Sequence, residues 1–226
     1  RQPLWTDAQV LGDSILSQEP GTVYGTTKNL VVDGNIYQSN MSDSVSIGQN
    51  ALQSANNPVG ENIAIGLDSL KTLTVGTNNV AIGSLALSSA NGSEANNIAI
   101  SKNALLNLGG TGTGNISLGF NSGSSMTSGS RNIYLGHLAG QNTTTQLGVW
   151  SNNILLGASV LAGGTVGNLA TTNIAIGDSA LTNINSSSLL RVIAIGHEAG
   201  RNIQGDPTDD IGIGIMVYYG PNYGFT

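Results

Sequence analysis

The sequence predicts an all-β chain wound as a parallel β-roll, a β-solenoid of about ten coils. Three observations carry that prediction: a recurring phrase, a fixed alternation inside it, and a composition rich in turn formers. The phrase Asn62-Ile63-Ala64-Ile65-Gly66 returns with its last residue at positions 48, 66, 83, 101, 119, 136, 157, 177, 196 and 214. Steps of 17 to 21 residues, sustained over most of the chain, mark stacked repeats that bury their apolar faces against their neighbours. Of 226 residues 32 are Gly and only 9% are charged, a mixture that suits tightly turned β-structure and argues against helices and against disorder.

Residues 1–43 precede the first clear repeat and read as an N-terminal connecting segment. Glu19-Pro20-Gly21 is a turn signal, and Asn29 to Tyr37 alternates as a strand around an Asp33-Gly34 turn, giving a short hairpin or an irregular first coil. The start at Arg1, without Met or signal peptide, reads as a processed product or a fragment.

Residues 44–217 form the repeat domain, and each position of the unit follows its own rule. The residue before the anchor is always Ile or Leu, and two residues earlier it is Val or Ile. Period two with β-branched residues predicts a strand with one buried face, so Ile63 and Ile65 are expected in the chain's own core. Between them stands a mostly small residue, interrupted only by Tyr134 and Leu155. A row limited by size and not by polarity is what close approach of a second backbone requires. Ala64, Ala81, Ala99, Ser117, Ala175 and Ala194 are therefore the expected contacts with a neighbouring chain.

The anchor Gly, replaced only by Ser101, suits positive φ or close packing. Asn precedes the phrase in seven copies, which predicts either a hydrogen-bonded ladder or a held turn. The residue after the anchor varies freely and is expected to face solvent. The Gly-, Ser- and Thr-rich spacers read as loops on one edge, longest between Gly136 and Gly177. At ~4.8 Å per stacked strand the coils make a rod on the order of 45–50 Å long. Residues 218–226 break the pattern with Tyr218, Tyr219, Tyr223 and Phe225, an aromatic cap over the last coil or a connector that docks the next protein.

Charge and residue types narrow the chemistry. A net charge of −6 with seven scattered basic residues excludes a nucleic-acid partner. Cysteine is absent, which removes disulfides and thiolate metal sites, and no apolar run approaches the ~20 residues of a membrane helix. His137 and His197 share a repeat position but lie three coils apart, too far to share an ion. The Gly109–Gly114 run lacks the Lys and following helix of a phosphate loop and reads as a flexible loop. Asp206, Asp209 and Asp210 read as a solvated turn around Pro207. No Ser/His/Asp order or paired acids recur, so no enzyme activity, cofactor or metal is expected. Phe120, Tyr134 and Trp150 are the receptor-contact candidates, because aromatics on a rigid β-scaffold hold sugars or protein partners.

The phrase SVSIGQNAL at Ser44–Leu52, and NIAIGxxAL generally, resembles the SVAIGxxAxA repeat of YadA-like trimeric adhesin heads. Tail fibres and receptor-binding proteins of tailed bacteriophages carry the same repeat, and the resemblance covers roughly residues 44–217. It implies a left-handed parallel β-roll and a side-by-side homotrimer, with the Ala and Ser row at the trimer interface. Asn29-Leu30-Val31-Val32-Asp33-Gly34-Asn35 is similar to strands common in phage tail fibres, and the ending at Thr226 lacks the neck and anchor of an autotransporter. The implied function is a non-catalytic structural and adhesive segment of a phage tail fibre, extracellular on the virion, attaching it to the host. Its implied partners are two identical chains, other tail or fibre proteins, and a host cell-surface glycan or protein, with no membrane insertion. The alternative is the head of a bacterial trimeric autotransporter adhesin binding host matrix. The longer, more variable step departs from the compact adhesin coil and predicts outward loops.

Overall fold

The structure, a computed structural model, describes residues 44–53, 60–141, 149–205 and 208–215. All belong to the second of two compact units, Arg1–Tyr37 and Gln38–Thr226. The N-terminal segment and the aromatic set Tyr218, Tyr219, Tyr223 and Phe225 lie outside the described residues. Among the described residues there is no helix, and the chain is a parallel β-solenoid of about 8 turns, somewhat fewer than the coils counted from the anchors.

Ten three-residue strands build the main sheet: β1 (Val45–Ile47), β2 (Ile63–Ile65), β3 (Val80–Ile82), β4 (Ile98–Ile100), β5 (Ile116–Leu118), β6 (Ile133–Leu135), β8 (Ile154–Leu156), β10 (Ile174–Ile176), β12 (Ile193–Ile195) and β13 (Ile211–Ile213). They stack in parallel and in register, so that Ala64, Ala81, Ala99 and Ser117 stand above one another. A second parallel sheet is made by β7 (Val149–Ser151), β9 (Gly164–Thr171) and β11 (Ile184–Leu190), in the order β11-β9-β7. The spacers after Gly157 and Gly177 are thus walls of the coil and not free loops. The Gly109–Gly114 run is also tied in, since Gly109 donates to the Thr127 carbonyl and Gly114 to the Ala95 carbonyl.

The two strand faces are the reverse of the sequence expectation. In β2, β3, β4, β10 and β12 the middle residue is buried and the flanking aliphatics are only half-buried. The small residues point inward because the turn fills the interior from the other side. The fourth residue after the anchor, Leu70, Leu87, Leu105, Leu161 or Leu181, is fully buried. Together with the small row it forms the core.

That Leu adopts an unusual backbone. In each corner that the described residues complete, the anchor and the second and fourth residues after it have positive φ, as at Gly66 (131°), Asp68 (55°) and Leu70 (46°). The alternation lets the turn keep pairing with its neighbours: Asp68 donates to Gln49 O, and Leu70 to Ala86 O. A left-handed Leu costs about 1–2 kcal/mol, against about 1.5–3 kcal/mol gained by full burial. The balance is small, which explains why the same position accepts Gly. The anchor itself needs Gly for space as well: a Cβ on Gly136 would stand 2.1 Å from Gly157 O.

Seven buried asparagines, Asn62, Asn79, Asn97, Asn115, Asn132, Asn153 and Asn173, form the expected ladder. From Asn79 onward each side-chain amide donates to the Oδ1 of the Asn one turn earlier, at 2.9–3.1 Å. The backbone N–H of each rung donates to the same Oδ1, as Asn97 does to Asn79 at 3.1 Å. A second amide hydrogen reaches a carbonyl across the coil, Gly112 O for Asn97 and Gly129 O for Asn115. The ladder ends where Val192 replaces Asn and donates only its backbone N–H to Asn173 Oδ1.

Candidate functional site

Reversing the faces moves the candidate site. Ala64, Ala81, Ala99, Ser117, Ala175 and Ala194 are each 0% exposed within the single chain and cannot touch a second one. Ser117 fits this dry row because its hydroxyl donates to Ser122 O at 2.9 Å. Tyr134 and Trp150 are likewise no receptor contacts. Tyr134 is wholly buried, with its hydroxyl on Met126 Sδ at 3.3 Å and its phenol pushed up by burial. Trp150 is buried in β7, and its carbonyl accepts from Asn132 Nδ2 at 2.7 Å. Phe120 alone of the three is exposed.

What the fold does present outward is a stripe of Ile, Val and Leu two columns wide along the main sheet. Its members are half-buried in the middle of the stack and open at places such as Leu118 (37%) and at the terminal strand, where Ile213 is 70% exposed. The residues after the anchors form a separate, mixed column, several of them exposed. There Leu67 is exposed, and Phe120 stacks on His137 with ring centroids 5.5 Å apart. Further along, His197 Nε2 lies 3.5 Å from Asp178 Oδ2. The two histidines therefore have different partners, and no group of three metal-ligating side chains occurs among the described residues.

Charges are few and mostly satisfied. Asp68 accepts from Asn50 Nδ2 at 2.8 Å and pairs with Lys71, and both contacts hold its carboxyl below the usual carboxylate range. Asp209 binds the Arg191 guanidinium through both oxygens, which lowers its pKa, while burial and the nearby Asp209 charge raise that of Asp210. The third acid of that cluster, Asp206, lies outside the described residues. Glu94 is completely buried, with its carboxylate accepting the backbone N–H of Gly92 at 2.8 Å, a role that closes a turn.

Sequence reasoning assigns the twenty aliphatic positions of this stripe to the core and so misses it as a surface. The missing signal was the position four residues after the anchor, where Leu in six of ten copies and Gly in three mark a filler whose size answers the strand opposite it. No helix among the described residues is long and apolar enough to cross a membrane. Comparison of the chain with protein-family models, with curated proteins and with solved structures finds no match.

Proposed function

We propose that this chain is a non-catalytic structural and adhesive segment of a phage tail fibre, working as a side-by-side homotrimer. The observation that supports the reading most is the outward aliphatic stripe. A continuous apolar face of this length is far larger than the scattered apolar residues of an ordinary monomer surface, and such faces mark places where another protein docks. A second and third copy offer a matching stripe of the same length, and closure about a threefold axis covers all three at once. The winding is left-handed in this reading. Three rigid coils in parallel give reach and stiffness, and threefold display turns weak contacts with a host glycan or protein into firm attachment.

Sedimentation of the full chain tests the assembly. A trimer is expected, and Ile98→Asp with Ile174→Asp should yield monomers with unchanged β-sheet circular dichroism, because both residues point away from the monomer core. A monomeric parent chain, or a double variant that remains trimeric, would rule the stripe out as the interface. Immunogold labelling of the particles tests the location: tail labelling fits the fibre, whereas labelling of a bacterial surface would favour an adhesin head.

A further inference from the structure

Away from the stripe, the described residues hold a shallow groove of about 330 Å³ whose lining is polar and apolar in nearly equal measure. It is lined by residues two, five and six places after the anchors of four successive coils, including Gln141, Ser159, Ser179 and Thr182. Leu138 and Ala162 add a small apolar patch. At one end Arg201 Nη1 is paired with Glu198 Oε1, yet Glu198 Oε2 and Arg201 Nε, both buried, have no hydrogen-bond partner among the described residues. The contrast with the same two repeat positions in an earlier coil is direct. There Asp68 pairs with Lys71 at 3.2 Å, and Asn50 takes up part of the remaining acceptor capacity at 2.8 Å.

We infer that this groove binds a short, uncharged oligosaccharide lying along the solenoid axis. The Glu198–Arg201 pair is neutral as a unit, so it gives an anionic or cationic ligand no net charge to meet. What it leaves without a partner is one acceptor and one donor within a single ion pair, the complement of a hydroxyl, which both donates and accepts. Both residues line the groove and the Arg201 side chain is 36% exposed, so a ligand reaches the two buried valences by displacing the Arg201 head. The serine and threonine hydroxyls and the Gln141 amide supply further two-way partners, and Leu138 and Ala162 suit the C–H face of a sugar ring. Coils repeat every ~4.8 Å, close to the length of one hexose unit, so each coil meets one ring of a linear chain. This gives the attachment reading a ligand class but does not rest on it, since binding needs only the groove.

Titration calorimetry and amide NMR of the full chain test the inference, with a panel of neutral trisaccharides (gluco-, manno- and N-acetylglucosamine-based) and an acidic uronate trimer. A neutral trisaccharide is expected to bind and to shift the amides of Ser159, Ser179 and Thr182. Ala162→Trp, which fills the groove, and Glu198→Gln, which breaks the pair, should each weaken binding at least tenfold, while Ala162→Ser retains it. The Ile98→Asp, Ile174→Asp variant should bind as the parent does, which separates this result from the oligomer test. No binding by any neutral trisaccharide, binding of the uronate alone, or full affinity in Ala162→Trp would overturn the inference.

Discussion

Two stretches of the same solenoid fill their interiors in opposite ways. Around β2, β3 and β4 the strand gives a small residue, Ala64, Ala81 or Ala99, and the turn gives a large one, Leu70, Leu87 or Leu105. Around β6 and β8 the strand gives Tyr134 and Leu155, and the adjoining turns give Gly123 and Gly140. A Cβ on Gly123 would stand 2.7 Å from both Leu105 Cδ2 and Tyr134 Cδ2, and one on Gly140 would stand 3.0 Å from the Tyr134 ring. Both stretches nonetheless end with fully buried side chains. The solenoid thus conserves volume between strand and turn across neighbouring coils, and not position by position.

Exchange of the two schemes gives the largest expected effect. Tyr134→Ala should lose about 3–5 kcal/mol by the combined loss of burial and opening of a cavity, read from equilibrium urea unfolding. Adding Gly123→Leu and Gly140→Leu to that variant rebuilds the scheme of the regular coils and should recover most of the loss. Each Gly→Leu change alone should destabilise by about 1–3 kcal/mol through overpacking against Tyr134. A triple variant no more stable than Tyr134→Ala would show that the two regions are not interchangeable solutions to one volume.

The asparagine ladder offers a sharper form of the comparison, because it runs through both stretches without a change of geometry. Asn97 sits in the regular region and Asn132 beside Tyr134, and each donates to the rung before and accepts from the rung after. Substitution by Ala leaves a backbone N–H and a carbonyl buried without partners, at about 1–2 kcal/mol per group. Asn97→Ala and Asn132→Ala should therefore each cost about 2–4 kcal/mol, and agree within about 0.5 kcal/mol, in the same unfolding measurement. A much smaller loss at Asn132 would mean that the larger core has loosened the ladder locally.

Much of this architecture was legible in the residues. The period of the phrase gave the parallel stacking, and the Asn column gave the ladder, because both depend on contacts between identical positions one turn apart. The facing of the strands was misread because size was taken as the mark of the core. Inside a coil three residues wide there is room for Ala99 opposite Leu105, but not for Ile98 and Ile100 as well, so the larger pair is turned outward. The exposed stripe and the groove draw on columns whose side chains come from different parts of the unit, and their meeting depends on how the corner folds. Alternating φ signs at residues such as Asp68 and Leu70 set that meeting, and no residue preference announces a left-handed Leu.

The regular stretch contains one exception of its own, and it gives the smallest predicted effect. Ser101 occupies an anchor position with φ of 116°, where the others are Gly, and it lies directly above Gly83, whose added Cβ would be 2.5 Å from the Ser101 carbonyl carbon. Holding a non-Gly residue in that region costs about 1–3 kcal/mol, while a Gly loses about 0.5–1 kcal/mol more entropy on folding. The strain is the larger of the two, so Ser101→Gly should stabilise the chain by about 1 kcal/mol, visible as a raised urea midpoint at unchanged slope. The reverse change one coil on, Gly119→Ser, places a Cβ 2.2 Å from Gly136 O and should destabilise. A fall in stability for Ser101→Gly would mean that the serine hydroxyl contributes more than its backbone costs, and the anchor row would then owe its glycines to close stacking more than to φ.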